Sequence, residues 1–171
     1  MDYPRREMKD HVIDKFNLCL NVVRQTKAES WQHALVSAMV TPAVFLEIKD
    51  GSSVLPLYCY ETPSPGSPEM FSGQSGQVRP RHSNLNTDIV DRVARDLGLN
   101  IVPDGRGDLA HGSMGPEDLF AYIYAVLYSP AYRERYAEFL KADFPRIPFT
   151  KDRDTFVKLA ELGQQLIDLH L

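Results

Sequence analysis

Hydrophobic and polar positions alternate early in the chain and recur every three or four residues later. Residues 17–25 place Leu18, Leu20 and Val22 opposite Asn17, Cys19 and Asn21, the period-two pattern of a half-buried strand. Residues 7–16 form a weaker amphipathic stretch, suited to a short helix or to the lead-in of that strand. Residues 31–40 suit a second strand, although their Ala and Met content also allows a helix. Residues 43–49 and 53–60 flank Asp50-Gly51, a hairpin turn signal. Pro56 has no N–H to give to a ladder, so its strand is expected at a sheet edge or a bulge.

Residues 62–83 hold prolines 63, 65, 68 and 80 and glycines 66, 73 and 76, with no apolar period. A long loop is expected there, and loops of that length are usually functional or disordered. Helical spacing follows. Thr87 suits the N-cap of a helix over 88–97 that stops at Gly98. Pro116-Glu117-Asp118 starts another, with a stripe of Phe120, Ile123, Tyr124, Leu127 and Tyr128. Ser129-Pro130 breaks it, and Tyr132, Tyr136, Phe139 and Leu140 continue the helical spacing. Pro145 and Pro148 force residues 144–149 out of helix. A last helix near 152–169 is expected to bury Phe156, Leu159, Leu162, Leu166 and Leu169. The pattern predicts an α+β fold, a small, mainly antiparallel sheet followed by a helical C-terminal subdomain. Residues 1–61 form the mainly β part, 62–83 the loop and 84–171 the helical part.

With 171 residues, 43% hydrophobic and 25% charged, the chain suits one domain or two small lobes sharing a core. No apolar run approaches the roughly 18–20 residues of a membrane span. Asp2, Arg5, Arg6 and Glu7 leave no room for a secretory leader, so a cytoplasmic protein is expected. Cys19 and Cys59 lie in apolar strand-like runs and read as buried free thiols. The net charge of −4 argues against indiscriminate nucleic-acid binding. Its distribution changes that picture. Residues 1–83 carry 9 Lys/Arg and 9 Asp/Glu, residues 84–171 carry 10 and 14. Any surface facing DNA is therefore expected in the first half.

Candidate chemistry is sparse. The five histidines, at 11, 33, 82, 111 and 170, show no metal-ligand spacing. Residues 111–115 lack the frame of a nucleophile elbow, and Gly105-Arg106-Gly107 lacks the Lys-Ser/Thr of a phosphate-binding loop. No methyl-donor motif is present. No catalytic residue, cofactor or metal is expected. What remains is polar. Arg24, Gln25 and Lys27 follow a strand end and suit phosphates or base edges, and equally a solvated strand end. Arg79, Arg81, His82, Asn84 and Asn86 leave the long loop as a phosphate-binding set or as an ordinary linker exit with helix caps. Tyr132, Arg133, Arg135 and Tyr136 read as two core tyrosines with outward arginines.

Specific runs go further. Phe120-Ala-Tyr-Ile-Tyr-Ala-Val-Leu-Tyr128, Ser129-Pro-Ala-Tyr-Arg133, Asp143-Phe-Pro-Arg-Ile-Pro148 and Leu169-His-Leu171 resemble the C-terminal specificity (target-recognition) domain of type ISP restriction–modification enzymes. Pro4-Arg-Arg-Glu-Met8, Asn17-Leu with Arg24-Gln25, Leu55-Pro-Leu-Tyr58 and Asn84-Leu-Asn86 are weaker matches to the same family. The family's Arg-Pro-Phe-Asp segment, expected before Pro4, is missing, as are its nuclease, helicase and adenine methyltransferase modules. The chain is thus similar to the C-terminal half of the recognition domain. The resemblance implies a non-catalytic unit that reads an asymmetric site in duplex DNA for the methyltransferase and helicase modules of a parent polypeptide. On that reading Arg24, Gln25, Lys27, Arg79, Arg81 and Asn84 contact DNA, and the helical tail buttresses the sheet. One alternative is a protein–protein docking or coupling module with no direct DNA contact. Another is a small-molecule enzyme built on His111 with Asp104 or Asp108.

Overall fold

Backbone pairing in the first third follows from the alternation of residues 17–25, but the two faces of that strand are used differently than the pattern suggests. The computed structural model describes residues 10–12, 15–39, 41–42, 45–46, 51–61 and 80–171. Three short strands, β1 (Cys19–Val22), β2 (Ala34–Ser37) and β3 (Ser53–Pro56), form an antiparallel sheet in the order β2-β1-β3. Leu20 faces Val36 on one side and Leu55 on the other. Residues 31–40 thus contain a strand and not the helix that their composition allowed. β3 lies at the sheet edge, as Pro56 requires, with Pro56 opposite Cys19. The chain then turns at Leu57 into β4 (Tyr58–Tyr60), which pairs antiparallel with β5 (Arg81–Ser83). Residues 81–83, expected to close the long loop, are therefore a strand, held because Tyr58, Cys59 and Tyr60 offer them an open edge. The strand expected over 43–49 and the Asp50 half of its turn lie mostly outside the described residues.

Asn17 and Asn21, expected on the solvent side of β1, are fully buried. Buried amides must be paired, and these stand in for missing ladder bonds. Asn17 donates to the carbonyls of His11 (2.9 Å) and Tyr58 (2.8 Å) and accepts from the Tyr58 N–H (3.0 Å), stitching β1 to β4. Asn21 donates to Ser37 Oγ (2.9 Å) and accepts from the Thr41 hydroxyl, tying the sheet to the segment after β2.

The helical part begins with α1 (Thr87–Leu97), capped by Asn86 and not by Thr87. The Asn86 side chain accepts from the Ile89 N–H at 3.1 Å, which places Thr87 in the first turn. Gly98 ends the helix in the left-handed region, at φ 65°. Two two-residue strands, β6 (Asn100–Ile101) and β7 (Ser113–Met114), pair in parallel and lead to α2 (Pro116–Tyr128). α2 is the hub of the core, with 10 of its 13 residues buried, so packing surrounds it on nearly every side. Phe120 and Tyr124 meet Leu18, Val36, Leu57, Tyr58 and Tyr60 of the sheets, whereas Leu119, Tyr122 and Leu127 meet Val22, Trp31, Leu140 and Phe156.

Ser129 breaks the helix and its side chain accepts from the Tyr132 N–H of α3 (Pro130–Arg135). Tyr136, at φ −112° and ψ 18°, divides α3 from α4 (Ala137–Ala142). Residues 144–149 lie outside helix and strand, as their prolines dictate. The last helix, α5 (Arg153–His170), is capped by Asp152 and packs along α2. Its buried stripe is Phe156, Ala160, Gly163 and Ile167, while Leu162 and Leu169 are exposed. Of the expected set Phe156 is buried, Leu159 and Leu166 pack half-buried against the core, and Leu162 and Leu169 are not buried. The cause is steric: a Cβ on Gly163 would overlap the carbonyl oxygen of Ala121 and come within 2.6 Å of its carbon. Small residues let the two backbones touch, and Leu162 and Leu169 lie outside the contact.

Candidate functional site

The segment leaving β1 alternates anchors and polar side chains over nine residues. Val23, Thr26 and Trp31 are buried, whereas Arg24, Gln25, Lys27, Glu29 and Ser30 are exposed. The Thr26 N–H donates to the Lys141 carbonyl (3.0 Å), using one of the free carbonyls at the end of α4. Arg24 lies 3.5 Å from Asp143, just beyond α4, with its side chain 71% exposed. An ion pair so exposed holds its partners weakly and leaves Arg24 available to another anion. The fold therefore turns Arg24, Gln25 and Lys27 outward from a backbone pinned at three points. The strand pattern marked these residues; the bond from α4 that pins Thr26 was invisible in it.

Arg81 sits in a different setting. Its side chain is only 17% exposed and its Nη2 lies 2.7 Å from Asp104. Nε donates to the same carboxylate, Nη1 donates to the Tyr60 hydroxyl (3.3 Å) and the Phe16 carbonyl (3.4 Å), and the guanidinium stacks 3.7 Å over the Tyr58 ring. Tyr58 in turn donates to Glu117 (3.1 Å) and accepts from the Gly105 N–H (3.0 Å). Burial works against the charge on Arg81, but the bonds from Asp104 and Tyr60 outweigh it and raise its pKa. Burial likewise pushes the Tyr58 hydroxyl far up. Burial would raise Asp104, yet Arg81 prevails and holds its carboxyl below the ordinary value. Arg81 thus locks β5 to the loop before α2.

Asn84 is exposed and donates to the Pro56 carbonyl (3.0 Å), with its own N–H bonded to Leu57 (2.8 Å). Arg79 lies outside the described residues. The structure does not bring the two expected sets together. Phe16, which touches Arg81, precedes β1, and Arg24 follows it, so the two sets lie toward opposite ends of that strand.

The loop over 104–115 is a structural knot. Asp118, fully buried, accepts from the N–H groups of Gly107 (2.6 Å) and Gly115 (2.9 Å) and from Arg106 Nε (3.0 Å). His111 Nδ1 meets Asp108 at 2.7 Å with an 84% exposed side chain, and the His111 N–H holds the Asp108 carboxyl below its usual range. These bonds close a surface turn and leave the His111 ring facing solvent. Arg133, expected to point outward, instead stacks on Tyr128 at 4.6 Å. Among the described residues no His, Cys, Asp and Glu cluster could hold a metal ion, and no helix is long and apolar enough to cross a membrane.

The sequence profile of the Type ISP C-terminal specificity domain matches residues 1–171. No curated protein matches the chain. Solved structures do. The ATP-dependent type ISP restriction–modification enzyme LlaBIII bound to DNA is 21% identical over 98% of the chain, with a TM-score of 0.61. The DrdV–DNA complex is 23% identical over the whole chain, with a TM-score of 0.65. A nuclease-deletion mutant of the type ISP enzyme LlaGI in complex with a DNA substrate mimic is 26% identical over 95%, with a TM-score of 0.52. The chain spans 9%, 14% and 11% of those three proteins.

Proposed function

The chain belongs to the type ISP C-terminal specificity domain family, and from that premise we propose that it reads duplex DNA through the segment after β1. One observation carries this reading: Arg24, Gln25 and Lys27 face outward from a backbone anchored at Val23, Thr26 and Trp31. Arg and Gln suit the bidentate edges of guanine and adenine in the major groove, and Lys27 suits a phosphate. A pinned backbone adds what a flexible basic tail lacks, a fixed register between side chains and bases. Asn84 and Arg79 flank β5 and would add contacts at a second point, with Arg81 fixing the strand between them. Adenine methylation, translocation and cleavage belong to other modules of a longer polypeptide, for which this unit supplies the address. The chain itself performs no chemistry on that account.

A docking role for the helical face is the second reading, favoured by Phe139, Leu162 and Leus 169 and 171, which are 53–79% exposed. Fluorescence anisotropy with duplex DNA across a salt series separates the two. DNA reading predicts binding that weakens with salt, a slope reduced by about one when Lys27 is changed to Ala, one phosphate contact, and a loss of affinity and of base preference when Arg24 is changed to Ala. An unchanged slope, or no binding at low salt, leaves the docking reading.

A further inference from the structure

We propose that Arg133 is a positioning residue for the 24–30 segment and acts on it through Trp31. The inference rests on the reading of that segment as the DNA contact, but its geometry does not. Trp31, the only tryptophan in the chain, ends the segment and is 3% exposed in the core beneath it. The Arg133 guanidinium lies 5.7 Å from the centre of its ring and 4.6 Å from that of Tyr128. Arg133 Nε also donates to the Leu127 carbonyl at 2.6 Å, in the last turn of α2. One side chain therefore joins the end of the hub helix, an aromatic ring of that helix and the anchor of the polar segment.

The arrangement is costly, which marks it as more than filling. Trp31 Nε1 and Arg133 Nη2 are both buried and have no hydrogen-bond partner among the described residues. Burial pulls the Arg133 pKa down, partly offset by Tyr128. An aliphatic residue at 133 would avoid the cost of burying a cation and could not hold Trp31 and Leu127 at once. Together with the Thr26–Lys141 bond and the Arg24–Asp143 pair, the contact makes α3 and α4 the bracket that sets where Arg24, Gln25 and Lys27 stand.

The test uses the whole chain and two readouts, amide exchange over residues 24–30 and duplex-DNA affinity. Arg133→Met is expected to speed exchange at 24–30, shift the Trp31 emission and weaken DNA binding about twofold to thirtyfold, the span from an exposed to a desolvated cation–π contact. The salt slope stays unchanged, because no phosphate contact is lost. Arg133→Lys keeps a cation over the rings and recovers part of the loss. In a Trp31→Leu background the same Arg133→Met change costs less than about twofold, because its route is already cut. Exchange at 24–30 that is unchanged in folded Arg133→Met overturns the proposal, whether or not DNA binds. So do additive losses in the cycle. If the wild-type chain binds no DNA, the DNA reading fails alone, and the exchange arm still decides. If Arg133→Met does not fold, Arg133→Lys and Trp31→Phe carry the same cycle.

Discussion

Gly163→Ala should destabilise the protein, although it improves the intrinsic helicity of α5. Two effects compete. Replacing a mid-helix glycine by alanine is worth about 1 kcal/mol in favour of the helix. Against it stands the new Cβ, which would overlap the Ala121 carbonyl oxygen and approach its carbon to 2.6 Å. The obstacle is backbone in the middle of α2, whose neighbours Phe120, Tyr122 and Tyr124 are buried, so it cannot step aside as a side chain would. Overpacking of this kind costs about 1–3 kcal/mol, and a rigid backbone obstacle puts it at or above the upper end. The net loss is about 2 kcal/mol. For a chain of this length that corresponds to a Tm lower by about 4–8 °C, measured by calorimetry or by circular dichroism. Gln165→Ala, on the exposed face of the same helix, should stay within about 0.5 kcal/mol of wild type. A Gly163→Ala protein with an unchanged or higher Tm would refute the close α2–α5 contact, because propensity alone would then have prevailed.

Asp118→Ala should cost about 3 kcal/mol or more in urea unfolding, since it strands the Gly107 and Gly115 N–H groups inside the protein. The Asp104 carboxyl titrates below its ordinary value in the folded chain. Its stabilising contribution is therefore complete above the unfolded value of about 3.9 and is lost as pH falls through the lower folded one. Asp104→Asn should accordingly be less stable than wild type at pH 7, with the difference closing in acid unfolding below about pH 4. Burial pushes the Cys19 thiol up to about 11, and that of Cys59 up as well. Iodoacetamide at pH 8 should modify the partly accessible Cys59 first and leave Cys19 unmodified until the protein unfolds; equal rates would contradict the buried placement of β1.

Local signals were legible because their causes are local. Gly98, Pro116, Pro130 and the Pro145–Pro148 pair stop or start helices through φ values and missing N–H groups that act wherever they occur. Pro56 foretold an edge strand for the same reason. Long-range causes were not legible. Asn17 and Asn21 look like solvent-side residues until the carbonyls of Tyr58 and the hydroxyls of Ser37 and Thr41 are brought to them. In α5 two apolar stripes lie side by side, and counting hydrophobic residues selects the leucines over the stripe containing Ala160 and Gly163. Only the approach of Ala121 reveals that smallness decided the choice. The candidate site divides the same way. Arg24, Gln25 and Lys27 follow from a strand ending in polar residues, whereas the engagement of Arg81 depends on Asp104, Tyr58 and Tyr60, which lie elsewhere in the chain. The repeated Arg-aromatic spacing of 132–136 hid which arginine turns inward.

Amide exchange of the chain with and without a duplex tests most directly whether the segment after β1 touches DNA. DNA reading predicts slower exchange over residues 24–30, with little change over 137–148 and 162–171. Unchanged exchange at 24–30 under conditions where the duplex is bound would contradict it and move the contact to another face.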